Sequence, residues 1–231
     1  LCAPGRLVRL EPPSPAARSI EPGALTGAHA ISAAADGSKP AAPRAAACLD
    51  ADKGLFLVLD TPPGAGSRLW WLDTLNNKSI PATLDAGGEL RGLGLACLAG
   101  EIYISYDASK TQGPGPRARR GVAVFSWPDA PAGTPRLARH LPDSGQEPAL
   151  ALAFMELGGA CYLWATSGEQ WLYAADGPTG RGLFRLPSPH APTPDARCAG
   201  LAFAGDDPWV ADRPPGGTRL QRINPARTPF A

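Results

Sequence analysis

Apolar and polar positions follow one another along this chain in short bursts, and one compound burst recurs four times. An apolar stretch is followed nine to twelve residues later by a second that closes on Asp or a small polar residue. The instances are AACLDADKGLFLVLD (46–60), LACLAGEIYISYD (95–107), LAFMELGGACYLWAT (152–166) and LAFAGDDPWVAD (201–212). Their first anchors, Cys48, Cys97, Phe154 and Phe203, are spaced by 49, 57 and 49 residues. Their second anchors, Asp60, Asp107, Thr166 and Asp212, are spaced by 47, 59 and 46. A third apolar run follows each second anchor: SRLWWLDTLNN (67–77), GVAVFSWPD (121–129), QWLYAADGP (170–178) and TRLQRINP (218–225). Three units add a fourth run: SIPATLD (79–85), PRLARHLPD (135–143) and GLFRLPSP (182–189). Short apolar runs bounded by Gly, Pro, Asp and Asn predict β-strands, and an Asp that closes a run suits a cap on the turn that follows.

A period near fifty built from short strands predicts an all-β fold, a β-propeller. The pattern predicts about four to five blades of four-stranded antiparallel sheet, either complete or part of a larger ring. The whole chain, 1–231, is read as one domain with blade-like repeats at 46–91, 92–147, 148–197 and 198–231. The last unit lacks a fourth run, and GRLVRLEPPSP (5–15) resembles the fourth runs of the other units. Residues 5–15 are therefore the candidate closing strand, which would remove an exposed sheet edge. Residues 16–45, rich in Ala, Pro, Gly and Ser, read as an irregular segment or a weak blade.

Composition narrows this only slightly. With 27 Gly and 27 Pro the chain has many turns and few long helices, and 44% apolar residues suit a soluble globular domain. A net charge of +1 gives no electrostatic reason for a nucleic-acid partner, and no apolar run is long enough for a membrane-spanning helix. A start at Leu1 is read as that of a processed or trimmed chain, and the compartment stays open, with secreted or periplasmic locations compatible. The five cysteines include no Cys-x-x-Cys pair, so zinc spacing is missing. Cys48 and Cys97 share one repeat slot with Phe154 and Phe203 and are expected to fill core positions, with a disulfide between neighbouring blades as the alternative. Arg117, Arg119 and Arg120 form a basic cluster in the Gly-Pro-rich insertion 108–120, read as a solvated loop or as a site for an acidic partner.

The last unit, GLAFAGDDPWVADRPPGGTRLQRINP (200–225), resembles an NHL-type repeat, and gluconolactonase-like and strictosidine-synthase-like propellers use a similar phrase. LACLAGEIYISYD and GVAVFSWPD fit it more loosely. WLYAADGPTGRGLFRL (171–186) is similar to the quinoprotein repeat, but with Phe184 where that repeat has Trp. The gluconolactonase resemblance implies a divalent cation, usually calcium, held by Glu, Asn and Asp at the top of a central tunnel. There it would polarise an ester or lactone carbonyl and activate a water. Asp60, Asp107 and Asp212 stand at equivalent blade positions and are the candidate ligands, with Glu101 or Glu169 as a further carboxylate. The chain departs from that pattern: its three asparagines, Asn76, Asn77 and Asn224, lie in turns, and the fourth equivalent position is Thr166. The same three aspartates read equally as turn caps.

No nucleophile motif accompanies His29, His140 or His190. Six tryptophans lie in or beside predicted strands, and adjacent Trp70 and Trp71 must point to opposite faces of their sheet. Trp70, Trp71 and Trp209 are the candidate ligand-binding aromatics, for a sugar ring or a protein partner. The sequence thus favours a non-catalytic binding or scaffold domain that engages its partner through loops on one face. The alternatives are a calcium-dependent lactonase or esterase and a carbohydrate-binding propeller.

Overall fold

The computed structural model describes residues 2–3, 6–8, 19–20, 28–30, 40, 43–50, 52–107, 120–141, 149–157, 159–167, 171–176, 179, 182–187, 197–204, 207–213 and 219–222. Among these residues every regular element is a strand. Four antiparallel sheets of four strands follow one another along the chain. The first holds β5 (Pro43–Asp50), β6 (Leu55–Asp60), β7 (Arg68–Asp73) and β8 (Lys78–Thr83), hydrogen-bonded in that order. The second holds β9 (Gly92–Leu98), β10 (Glu101–Asp107), β11 (Arg120–Ser126) and β12 (Arg136–Leu141). The third holds β13 (Ala149–Leu157), β14 (Ala160–Ser167), β15 (Trp171–Asp176) and β16 (Gly182–Pro187). In the fourth, β17 (Arg197–Ala204), β18 (Asp207–Arg213) and β19 (Arg219–Arg222) are joined by β3 (Ser19–Ile20) from the other end of the chain. The four apolar runs predicted for each complete unit are thus four strands of one sheet.

The fourth strand of the last sheet differs from the expectation. Ile20 pairs with Leu220 and Ser19 with Gln221, so an N-terminal segment does complete this sheet, but it is not 5–15. Within 5–15, β2 (Arg6–Val8) lies between β1 (Cys2–Ala3) and β4 (Ala28–Ala30) in a separate three-stranded sheet. The ending shared with GLFRLPSP therefore does not select the sheet, or the place in it, that the strand takes.

Alternation of side chains explains why the strands read as nearly continuous apolar runs. On β10, Ile102, Ile104 and Tyr106 face one way and pack with Leu57, Leu59 and Leu69 of the first sheet. Tyr103, with Val122 and Val124 of β11, faces the other way and packs with Leu152 and Leu163 of the third sheet. The second sheet is therefore buried on both faces, so both registers of the alternation are apolar. Each fully buried side chain of this size stabilises the fold by roughly 1.5–3 kcal/mol.

Neighbouring sheets meet through their first strands: β5 packs on β9, β9 on β13 and β13 on β17. The β9–β13 approach is close enough to require Gly94, where a Cβ would lie 2.9 Å from the Ala151 Cα and 3.1 Å from the Leu152 nitrogen. Each of these first strands is also bulged near its start. One residue is skipped between Pro43 and Ala45, between Gly92 and Gly94, between Ala149 and Ala151, and between Cys198 and Gly200. A bulge at that place bends the strand and sharpens its twist where sheets converge.

Candidate functional site

The antiparallel order puts the end of each second strand beside the start of the first and third strands. Asp60 faces Pro43 and Arg68 across the ladder, Asp107 faces Arg120, and Asp212 faces Cys198 and Arg219. Three of the four sheets therefore set an Asp opposite an Arg at this end. Asp60 is wholly buried; its Oδ2 accepts from the Trp70 Nε1–H at 3.4 Å and lies 3.6 Å from the Arg68 Nη2. The Asp107 Oδ1 is 3.8 Å from the Arg120 Nε. Asp212 is placed only by its backbone, and its side chain lies outside the described residues. In the third sheet the equivalent Thr166 is buried, and its hydroxyl has no hydrogen-bond partner among the described residues.

The three aspartates thus occupy equivalent strand ends, but Asp60 and Asp107 each have a guanidinium as neighbour. Among the described residues no group of three or more His, Cys, Asp or Glu side chains is arranged to hold a metal ion. Glu101 begins β10 and Asp107 ends it. Six residues of strand separate them by about 20 Å, which takes Glu101 away from the Asp107 end. Glu101 is instead bonded to both terminal nitrogens of Arg139 and accepts from the Tyr103 hydroxyl at 2.7 Å. Arg139 holds its carboxyl below the ordinary range, outweighing the opposite pull of burial, and the Tyr103 hydroxyl adds to the effect. Burial, followed by the adjacent Glu101, pushes the Tyr103 phenol up to about 12. Glu169, Arg117, Arg119 and His190 lie outside the described residues.

Turn capping is seen at three further aspartates. Asp50 accepts from the Lys53 N–H at 3.1 Å, Asp73 from the Asn76 N–H at 2.9 Å and Asp176 from the Thr179 N–H at 3.1 Å. Asp50 closes a first strand, and Asp73 and Asp176 close third strands, so all three sit at the ends opposite the Asp–Arg pairs. The sequence reading named Arg120 in a basic cluster but missed the pairing of these arginines with the strand-end aspartates. Their signal was available, because an Arg opens the third run after each Asp-terminated second run, at Arg68, Arg120 and Arg219.

The two adjacent tryptophans separate as their alternation requires. Trp70 is wholly buried with Val58 and Leu72 on one face of the first sheet, while half-buried Trp71 packs on the opposite face against the core shared with the second sheet. Trp70 therefore presents no surface to a ligand. Trp209 on β18 is half-buried. His140 is exposed, with its Nδ1 3.2 Å from the Tyr106 hydroxyl. The cysteines split the expectation. Cys48 is exposed beside the irregularity that ends β5, whereas Cys97 packs against the core as its repeat slot implies. Burial, with a smaller contribution from Cys48, pushes the Cys97 thiol up to about 12.

A concavity lies at the Asp60 end of the first sheet, a cleft of about 490 Å³ between the β6–β7 loop and the β8–β9 connection. Its walls are pinned together. The Ser67 N–H donates to the Leu90 carbonyl at 2.7 Å, and the Gly92 N–H donates to the Ser67 hydroxyl at 2.8 Å. The Thr61 hydroxyl lies 2.7 Å from that of Ser67 and donates to the Gly92 carbonyl at 3.1 Å. These hydroxyls are buried, so their bonds are made away from competing water. Arg68 and Thr83, paired across the ends of β7 and β8, form the floor. The arrangement is a preformed, partly apolar hollow carrying one guanidinium and one exposed carboxylate, Glu89. No protein-family model matches this chain, and no curated protein matches it in sequence.

Proposed function

We propose that this chain is a β-propeller of the NHL or gluconolactonase-like kind that serves as a non-catalytic binding domain, and that it takes its ligand at the end where the second strands finish. The observation that carries this reading is the pinned cleft at the Asp60 end, lined by two interstrand connections and by the strand ends Arg68 and Thr83. Rigidly held connections on a sheet scaffold are the usual place for recognition. The propeller arrangement is supported by the consecutive meeting of β5, β9, β13 and β17 and by the bulge repeated at the start of each. The carboxylates that a calcium-dependent lactonase would use have guanidinium neighbours at Asp60 and Asp107, which favours binding over metal-assisted hydrolysis.

The test is a screen of small molecules and short peptides against the isotopically labelled protein by NMR, run beside lactone and ester turnover assays with calcium and with chelator. Perturbations clustered at 61–67 and 84–91, without turnover, support the reading. Lactone or ester turnover that is lost on chelation, or perturbations confined to the opposite strand ends, would overturn it.

A further inference from the structure

The same cleft carries enough chemistry to name the class of molecule it takes, an inference that rests on the binding reading just given. Arg68 lines the cleft with its side chain 41% exposed, while its partner Asp60 is fully buried behind it. The contact runs through one terminal nitrogen, Nη2, at 3.6 Å, which leaves donors of the guanidinium fork to face the hollow. A carboxylate held behind an arginine orients that fork, and a planar fork is matched to a carboxylate ligand.

Glu89 lines the same cleft from the β8–β9 connection and makes no ion pair among the described residues. The bare backbone of Gly66 admits it: a Cβ at Gly66 would lie only 3.3 Å from the Glu89 Cγ. The cleft therefore presents a guanidinium and a separate carboxylate. A simple anion would meet Arg68 but leave Glu89 unmatched, and a simple cation would meet Glu89 but leave the remaining donors of Arg68 unmatched. A zwitterion satisfies both charged groups without adding net charge. Pro62 and Ala65, which keep surface at the cleft, supply apolar lining for a side chain.

We infer that this cleft binds a free α-amino acid with an apolar side chain. Its carboxylate meets Arg68, its ammonium meets Glu89 and its side chain rests on Pro62 and Ala65. The volume of about 490 Å³ falls within the range of small-molecule sites.

Binding can be read at the Trp70 indole N–H, which is bonded to Asp60 and so lies one residue from the Arg68 contact. Its resonance in the ¹⁵N-labelled protein is assigned with Trp70→Phe and followed during titration with L-leucine, N-acetyl-L-leucine and L-leucinamide. A saturable shift with L-leucine is expected, with each blocked derivative at least about tenfold weaker, since each forfeits one charged contact. Arg68→Gln should abolish the response. Because Arg68 also supports buried Asp60, the independent variant is Glu89→Gln at an exposed position, which should bring L-leucine and N-acetyl-L-leucine to similar affinity.

Equal binding of all three compounds overturns the inference, as does the absence of any shift with L-leucine at about 20 mM, well above a millimolar dissociation constant. If other compounds perturb 61–67 and 84–91 while L-leucine does not, this inference fails and the binding reading survives. If no compound perturbs that end, both fail.

Discussion

At the residue scale, the buried carboxylate of Asp60 is the most consequential single group in the first sheet. It stabilises the fold through the Trp70 indole N–H and the Arg68 guanidinium, so removing it orphans a buried donor. Asp60→Ala should destabilise the protein by about 1–3 kcal/mol, the cost of leaving such a donor unsatisfied, as measured by urea unfolding. Asp129→Ala, at an exposed turn position, should cost far less in the same assay. The cysteines make a second prediction at this scale. Nucleophilic attack needs a thiolate, and Cys97 combines burial with a thiol pushed up to about 12, whereas Cys48 is exposed. Brief iodoacetamide treatment near pH 8, mapped by peptide mass spectrometry, should modify Cys48 well before Cys97, and denaturant should remove the difference. Comparable native rates would contradict the packing of Cys97 against the core.

At the scale of elements, alternation on β9 and β10 divides the second sheet between two interfaces, and each interface has one point of close constraint. On the β13 side that point is Gly94. A side chain there meets backbone atoms, which cannot swing aside as a flexible side chain can. Gly94→Val should cost about 1–3 kcal/mol or more, as overpacking of a filled interface does, and Gly94→Ala should fall between it and the parent. A neutral Gly94→Val in chemical unfolding would mean that β9 and β13 do not approach as described. Glu101, at the opposite end of the second sheet, makes stability depend on acid. Its folded-state carboxyl lies below its ordinary value of 4.5. Its contribution is therefore present above about pH 4.5 and is lost as the pH falls through the lower folded value. Between about pH 5 and pH 3 the parent should lose stability more steeply than Glu101→Gln, and parallel curves would dissociate the Arg139 pair from stability.

Much of this element-level structure was legible in the sequence. The four runs of each complete unit became four strands because apolar runs bounded by turn residues are a local signal. The opposite faces of Trp70 and Trp71 followed from strand geometry alone. The distance of Glu101 from Asp107 was equally readable, since they lie at the two ends of one predicted strand. What the sequence could not supply were partners distant in the chain. The Arg68 signal was readable in sequence, but the cleft depends on how 61–67 meets 84–91. Cys48 shared a repeat slot with core residues, but the slot lies beside the irregularity between Cys48 and Asp50, where equivalence in sequence did not become equivalence in burial.

At the scale of the whole molecule, a very short element links the two ends of the chain among the described residues. β3 contributes two residues, Ser19 and Ile20, to the edge of β19, yet those pairings connect the first twenty residues to the last sheet. They also cover a strand edge that would otherwise be open to other chains. Proline cannot donate to a ladder, so the double variant Ser19→Pro, Ile20→Pro should detach β3 without touching any residue of the last sheet itself. Hydrogen exchange in the peptide spanning Arg219–Arg222 should then accelerate, because those amides acquire a free edge beside them, while exchange in β6 and β10 should stay slow. Concentration-dependent self-association, read by light scattering, should accompany it if the uncovered edge pairs between molecules. Unchanged exchange in Arg219–Arg222 would show that β3 does not hold this edge in solution, and the last sheet would then be held by its packing on β13 and β14.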